Sequence, residues 1–400
     1  MGATITEKIL ARCAGRRSVK PGDEIDARPD SVLAYELRGY TDVYFRDMPA
    51  FGAPKVREPE RFAIFIDHRV PSKTPEDEAL HGQTRAWCKE QGVALFDRAG
   101  IGHQVAAEAG YARPGAFVVH FDGHISQLGA FGALGMGLRS DVFEAFVRDC
   151  VSLRVPETTL LRLHGRLGHG VMARDVFHHI VGRFGPRFGA FQVLQYGGPG
   201  AAEISTEGMQ TMTGLAMFTG AVSAIHDATG IGDADAAFAS ILDVSLDEVE
   251  PIVVAPPSPA NTRRLAEFAG LGLDAGYLGS CASGRMEDLR IAAKILKGRH
   301  VAEGFSLHVV PTSQAIMAQA AAEGLIQTFV QAGAFVSSPS CDYCSGNIAT
   351  ISAGQRAVST GTLNVPGRMG HVEGEIYLCS AATLAASAVE GRIADPRRYL

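Results

Sequence analysis

Short apolar runs alternate with segments of helical spacing along most of the chain. Residues 61–70 (RFAIFIDHRV) predict a strand that ends in Asp67 and His68, and 76–91 (EDEALHGQTRAWCKEQ) then have helical spacing. Residues 115–124 (GAFVVHFDGH) predict another strand, ending in Asp122, Gly123 and His124. The glycine-studded segment that follows, LGAFGALGMGLRSDVFEAFVRD, predicts a turn leading into a helix. Further on, strand patterns at 274–281 (DAGYLGSC) and 305–313 (FSLHVVPTS) each precede an amphipathic helix. Strand, loop and helix repeated in this way imply mainly parallel sheets covered by helices, an α/β class. Breaks near 155 and in the proline-rich VVAPPSPANTRR near 257 divide the chain into 1–155, 156–257 and 258–400.

In open α/β sheets, ligands bind beyond the carboxyl ends of strands. Asp67–His68, Asp122–His124 and Cys281 all fall at such ends. An aspartate that accepts from one imidazole nitrogen fixes the tautomer and suits acid–base work. Asp122 and His124, two apart on a strand, are expected on one face, which neighbours such as Asp67 and His68 are not. His103 lies in a glycine-flanked loop, AGIGHQ. His120, His164, His169 and His226 are read as structural.

The cysteines change the picture most. There are 7 of them, an odd number at irregular spacing, which fits a reducing cytoplasm better than a secreted disulfide framework. Cys341 and Cys344 form a C-x-x-C in SPSCDYCSGN, and Cys281 sits between Gly279 and Gly284. Three thiolates in glycine-rich loops can hold three irons of a cubane, or a zinc ion with one further ligand; a redox pair is a third reading. Cys13, Cys88, Cys150 and Cys379 lack such surroundings. A net charge of −6, with no basic run, excludes a nucleic-acid surface, and no run of 18 apolar residues offers a membrane span.

Ordered motifs then give a wider likeness. DHRVPS (67–72), GIGHQVAAEAGYARPG (100–115), DGHISQLGAFGALGMGL (122–138), GSCASGRMEDLR (279–290), SCDYCSGN (340–347) and PGRMGHVEGEIYLCSAATLAASAVEGRIADP (366–396) resemble the aconitase superfamily. Within it, the large subunits of isopropylmalate dehydratases are the nearest kind. The resemblance implies three aconitase-like α/β/α domains around a central cluster site, without the family's swivelling domain. A separate small subunit would supply that domain, with a serine base and a further arginine. It implies a [4Fe–4S] cluster held by Cys281, Cys341 and Cys344, whose fourth iron takes a substrate hydroxyl. Asp67, His68, His103, Asp122 and His124 correspond to the family's water-handling set, and Arg368 to an arginine on the substrate, a small hydroxy-carboxylic acid.

Several substrate-contacting positions depart from the family's pattern. Gly123 replaces a serine, and Leu363 stands where an arginine is expected, with Thr362 at an asparagine position. Gly214 and Phe218 replace an asparagine and a glutamate, and Tyr35 a glutamine. Each change removes a polar group or charge, or exchanges it for an aromatic. A pocket with Arg368 as the chain's only cation suits a ligand less polycarboxylic than citrate or isopropylmalate, because burying an unpaired carboxylate is costly. A non-catalytic cluster protein, or an enzyme using the scaffold for a different reaction, is the competing expectation.

Overall fold

The structure is a computed structural model and describes residues 2–400. Three sheets organise the chain. The first has five parallel strands, in the spatial order Ala94–Asp97, Phe62–Ile66, Ser31–Tyr35, Phe117–His120 and Leu134–Gly137. Its three middle strands are buried at every residue, which is why they read as continuous apolar runs rather than alternating ones. The second is a parallel sheet in the order Ser223–His226, Val193–Gly197, Thr158–His164 and Ser240–Ser245. The third places Ala275–Leu278 between Arg356–Ser359 and Ser306–Val309, all parallel, with an antiparallel edge formed by Ile252–Val254 and Thr262–Arg264. Each sheet has its own cluster of buried apolar side chains. A fourth, smaller cluster gathers Tyr277, Tyr343, Ile351 and Met369 around Cys344.

Two local readings of the sequence are corrected. The segment after His124 is not a turn leading into a helix: it forms a 3₁₀ helix, Gly123–Phe131, then the edge strand Leu134–Gly137, and only then the helix Phe143–Arg148. Gly129 and Gly135 explain the difference. A Cβ on Gly129 would meet the Ala224 carbonyl oxygen of the second sheet at 1.9 Å, so glycine here permits close packing of the 3₁₀ helix on that sheet rather than marking a loop. Ser126 and Ser223 tie the same contact, donating to the carbonyls of Thr213 at 2.7 Å and Gly135 at 2.6 Å.

The second correction concerns the two Asp–His pairs. Their strands stop at Ile66 and His120, before either pair begins. Alternation along a strand therefore governs neither. Asp122 instead caps the 3₁₀ helix, and the sequence neighbours Asp67 and His68 meet directly because the chain has already turned. Among the described residues no helix is long and apolar enough to cross a membrane.

Candidate active site

The carboxyl ends of the first and third sheets face each other, and the loops beyond them line a cavity of about 620 Å³. Asp67 is the first residue past its strand and is buried. Its Oδ1 lies 2.5 Å from Nδ1 of His68, and its Oδ2 accepts from the Gly102 N–H at 2.6 Å. Behind it Glu36, the residue after the strand Ser31–Tyr35, accepts from the backbone N–H groups of Asp67 and His68 at 3.0 and 2.9 Å. Burial and the nearby Asp67 carboxylate push Glu36 well above the usual carboxylate range. Burial alone would lower the His68 pKa, but the Asp67 carboxylate outweighs it and holds the ring at about 9. His68 is thus an imidazolium at neutral pH. Oxygens of Glu36, Asp67 and a His68 nitrogen lie within 4.8 Å of one another, yet those oxygens are engaged by N–H groups, which makes the trio a hydrogen-bonded support.

The second pair is built differently. Asp122 Oδ1 accepts from the His124 N–H at 2.8 Å and faces its Nδ1 at 2.9 Å. Oδ2 accepts from the Tyr35 hydroxyl at 2.7 Å. Burial opposes the Asp122 charge, but His124 outweighs it and keeps the carboxyl well below its usual range. Burial and the Asp122 charge raise Tyr35, so its hydroxyl stays a donor. His103, on the short helix Gly102–Glu108, is buried with no hydrogen-bond partner for either ring nitrogen among the described residues. Burial lowers its pKa, which leaves it neutral. A charged His68 and a neutral His103 in one cavity have the split character that separates proton donor from acceptor.

Cys281, Cys341 and Cys344 reach the same cavity as free thiols. Cys281 follows Ser280, whose φ of 85° bends the chain out of the third sheet, and whose hydroxyl donates to the Thr360 carbonyl at 3.1 Å. The Cys341 N–H donates to the Asp67 carbonyl at 3.1 Å, coupling the cysteine loop to the first Asp–His pair. Burial and the neighbouring thiols push Cys281 up, and burial and Asp67 do the same to Cys341. Burial also opposes the Cys344 thiolate, but the Arg368 guanidinium outweighs it; Nη2 donates to the sulfur at 3.4 Å. Three thiols brought together, Cys344 buried and Cys281 and Cys341 half-buried, strongly favour a cationic guest. Among the described residues these sulfurs do not meet the 4.8 Å mutual spacing of a single-ion site. A tetrahedral zinc ion at ~2.3 Å from each sulfur would need them roughly 3.8 Å apart. A set of three thiols is the donor chemistry of an iron–sulfur core, and the unpartnered atoms of His103, His124 Nε2 and Arg368 Nε are available to whatever sits before it.

The rest of the lining includes an apolar set: Leu37, Phe121, Phe191, Met217, Val222 and Leu363. Gly123 lines it too, and a Cβ there would sit 3.2 Å from Cε and Sδ of Met217, so the thioether occupies the space of a larger side chain. Tyr35 lines the cavity with its ring 4.2 Å from that of His68 and 5.0 Å from that of His120. Phe218 does not reach the cavity surface; its ring lies 5.6 Å from that of His124 and Met217 takes the wall position. Gly214 is buried in the helix Thr206–Leu215 against Gln127. Arg368 is not the chain's only cation here, contrary to the expectation from sequence: the exposed Arg139 also lines the cavity. Sequence patterning also passed over Glu36, Gln104, Gln127 and Arg285. Glu36 had a signal, an acid directly after an apolar strand; the others lie mid-motif with no local cue.

The sequence profile of the Aconitase family (aconitate hydratase) matches residues 7–231 and 227–391. A 3-isopropylmalate dehydratase large subunit from Moorella thermoacetica is 37% identical over 422 residues, covering all of both chains. A large subunit of the same name from Aquifex aeolicus is 34% identical, with 99% of this chain and 97% of that one aligned. The crystal structure of Thermococcus kodakaraensis aconitase X (holo-form) covers 89% of this chain and 88% of its own at a TM-score of 0.54; at 12% identity this is a likeness of fold. Full-length similarity at this level, with the fold, establishes that the chain belongs to the aconitase family of hydro-lyases.

Proposed function

We propose that this hydro-lyase carries a [4Fe–4S] cluster on Cys281, Cys341 and Cys344 and adds or removes water at a small hydroxy acid with one buried carboxylate. The observation that carries the reading is the meeting, in one cavity, of three thiols with His68 backed by Asp67, His103, Asp122–His124 and Arg368. The cluster, when bound, supplies a Lewis-acidic iron for the leaving hydroxyl. His68, charged by Asp67, is poised to protonate that hydroxyl as the C–O bond breaks, so that it departs as water. His103, neutral, and His124, oriented by Asp122, hold water on the return path. Arg368 has its Nε free for a substrate carboxylate while Nη2 stays on Cys344.

The apolar part of the lining selects what else the substrate carries. Leu363 and Met217 offer no partner to a second buried carboxylate, whereas they pack well against an alkyl or aryl body. Arg139 is exposed, so an anion it meets stays largely solvated. The base that takes the carbon-bound proton is expected on a small swivelling subunit, in keeping with relatives named large subunits. Domains 1–155, 156–257 and 258–400 would then form three sides of the site and the partner the fourth.

Anaerobic purification with iron and sulfide counts, followed by turnover of a hydroxy-acid panel with and without the co-purified small subunit, tests this. A cluster with turnover that rises at least ~10²-fold on adding the subunit is expected, the usual scale of a positioned base. A cluster without any turnover of the complex would favour a non-catalytic role. Full activity of the single chain would remove the need for a partner.

A further inference from the structure

Arg285 is the largest side chain in the chain that is fully buried, at 0% exposure. Every acceptor on its guanidinium is uncharged. Nε donates to Gln104 Oε1 at 2.9 Å and Nη1 to Thr211 Oγ1 at 3.2 Å. Nη2 donates at 2.6 Å to both Gln127 Oε1 and the backbone carbonyl of Cys281. Gln104 and Gln127 come from the first region of the chain, Thr211 from the helix Thr206–Leu215 of the second, and Cys281 from the third. One side chain therefore joins all three regions at the loop of one thiol.

A buried guanidinium normally faces a carboxylate, because its charge is otherwise uncompensated. Here Glu207, Glu287 and Asp288 act only through space, with no ion pair to the guanidinium among the described residues. Burial and the adjacent Glu287 push the Asp288 carboxyl up to about 7, which weakens its service as a counter-charge. Arg174 shows the same arrangement. It is 4% exposed and donates only to the carbonyls of Thr360 and Gly361, at 2.7 to 3.0 Å, next to the Thr362 that approaches Cys344. Two buried cations without acid partners thus stand behind the thiol pocket. A cubane held by three thiolates is a buried anion, and its redox level responds to nearby charge and to hydrogen bonding around its ligands.

We propose that Arg285, backed by Arg174, is a positioning residue whose unneutralised charge fixes the Cys281 loop and raises the reduction potential of the bound cluster. The inference rests on the cluster reading above. Its test is potentiometric reduction of the full chain, anaerobically reconstituted, followed by electron paramagnetic resonance after iron and sulfide have been counted. Arg285→Gln removes the charge; Arg285→Lys keeps it without the fork; Gln127→Glu leaves the arginine in place and sets a carboxylate against Nη2, at a position whose amide nitrogen has no partner among the described residues. At a fixed potential, the reduced-to-oxidised ratio is expected to fall at least roughly tenfold in Arg285→Gln and Gln127→Glu, about 59 mV for one electron, and to stay near wild type in Arg285→Lys. A purely architectural arginine would instead leave Arg285→Lys as impaired as Arg285→Gln. If Arg285→Gln loses the cluster altogether, the retained potential of Arg285→Lys and the lowered potential of Gln127→Glu are the expected pair. An unchanged potential in Gln127→Glu, or an Arg285→Lys protein as impaired as Arg285→Gln, overturns the proposal. Absence of any cluster in the wild-type chain instead overturns the cluster reading itself.

Discussion

The two walls of the cavity differ in how their side chains are held. On the thiol and imidazole wall, almost every group has a defined support: Asp67 on His68, Glu36 behind Asp67, Asp122 on His124, Tyr35 on Asp122 and Arg368 on Cys344. In the apolar part of the lining, Leu363, Met217, Phe121 and Phe191 need only shape. Polar networks tolerate little change because each lost partner strands a buried group, whereas an apolar surface can be resurfaced at modest cost. On the proposed reading, chemistry and selectivity are thereby separated: the supported groups carry the reaction and the apolar lining decides which acid reaches them.

The sharpest way to break that division is to attack the supported wall. Replacing Cys281, Cys341 or Cys344 individually by serine is expected to abolish or severely reduce a cluster of about four irons, measured anaerobically. Cys13→Ser and Cys88→Ser should leave it intact, since burial raises those thiols to about 11 and 12 in the first core, away from the cavity. Equal iron loss in all five variants would erase the distinction. Next in size is Asp67→Asn. The carboxylate raises the His68 pKa, so the imidazolium is fully present below about 6.5 and is lost as pH rises through about 9. Without it, the alkaline limb of the pH–rate profile should move from near 9 to below about 6.5, and the rate near pH 8 should fall by roughly 10²- to 10⁴-fold. An unmoved limb would mean that His68 is not the proton donor. Smallest is a change on the apolar wall. Leu363→Arg should raise any residual activity on diacids by about 10- to 10²-fold, the worth of one charged hydrogen bond, and lower activity on the native substrate.

Much of the supported wall was legible in the sequence because its groups sit at strand ends and in short, ordered motifs. His68, His103, Asp122, His124 and the three cysteines line one cavity, with Asp67 buried behind His68. The reason given for the Asp122–His124 pairing was nevertheless different from the one the fold provides: a helix cap rather than strand alternation. The strand Leu134–Gly137 was hidden because glycine reads as a breaker, whereas here Gly135 and Gly137 permit close approach of the 3₁₀ helix backbone, where a Cβ would meet the Ile125 carbonyl oxygen at 2.3 Å and the Gly123 Cα at 2.5 Å. Arg285 and Arg139 could not be placed, since neither burial nor a position at a cavity mouth leaves a local pattern. Phe218 lies behind the wall rather than in it because position in a motif gives no side-chain direction, and Met217 beside it takes the space.

Whether the apolar wall selects the substrate is tested most directly by steady-state kinetics of the cluster-loaded complex. Citrate, isocitrate and 3-isopropylmalate would be compared with hydroxy acids bearing one carboxylate and an apolar body. Two missing charged hydrogen bonds, at roughly 1.5–3 kcal/mol each, should put kcat/KM for the diacids about two to four orders of magnitude below the best monoacid. Turnover of any of the three at a kcat/KM above ~10⁴ M⁻¹s⁻¹, equal to or better than the monoacids, would contradict it.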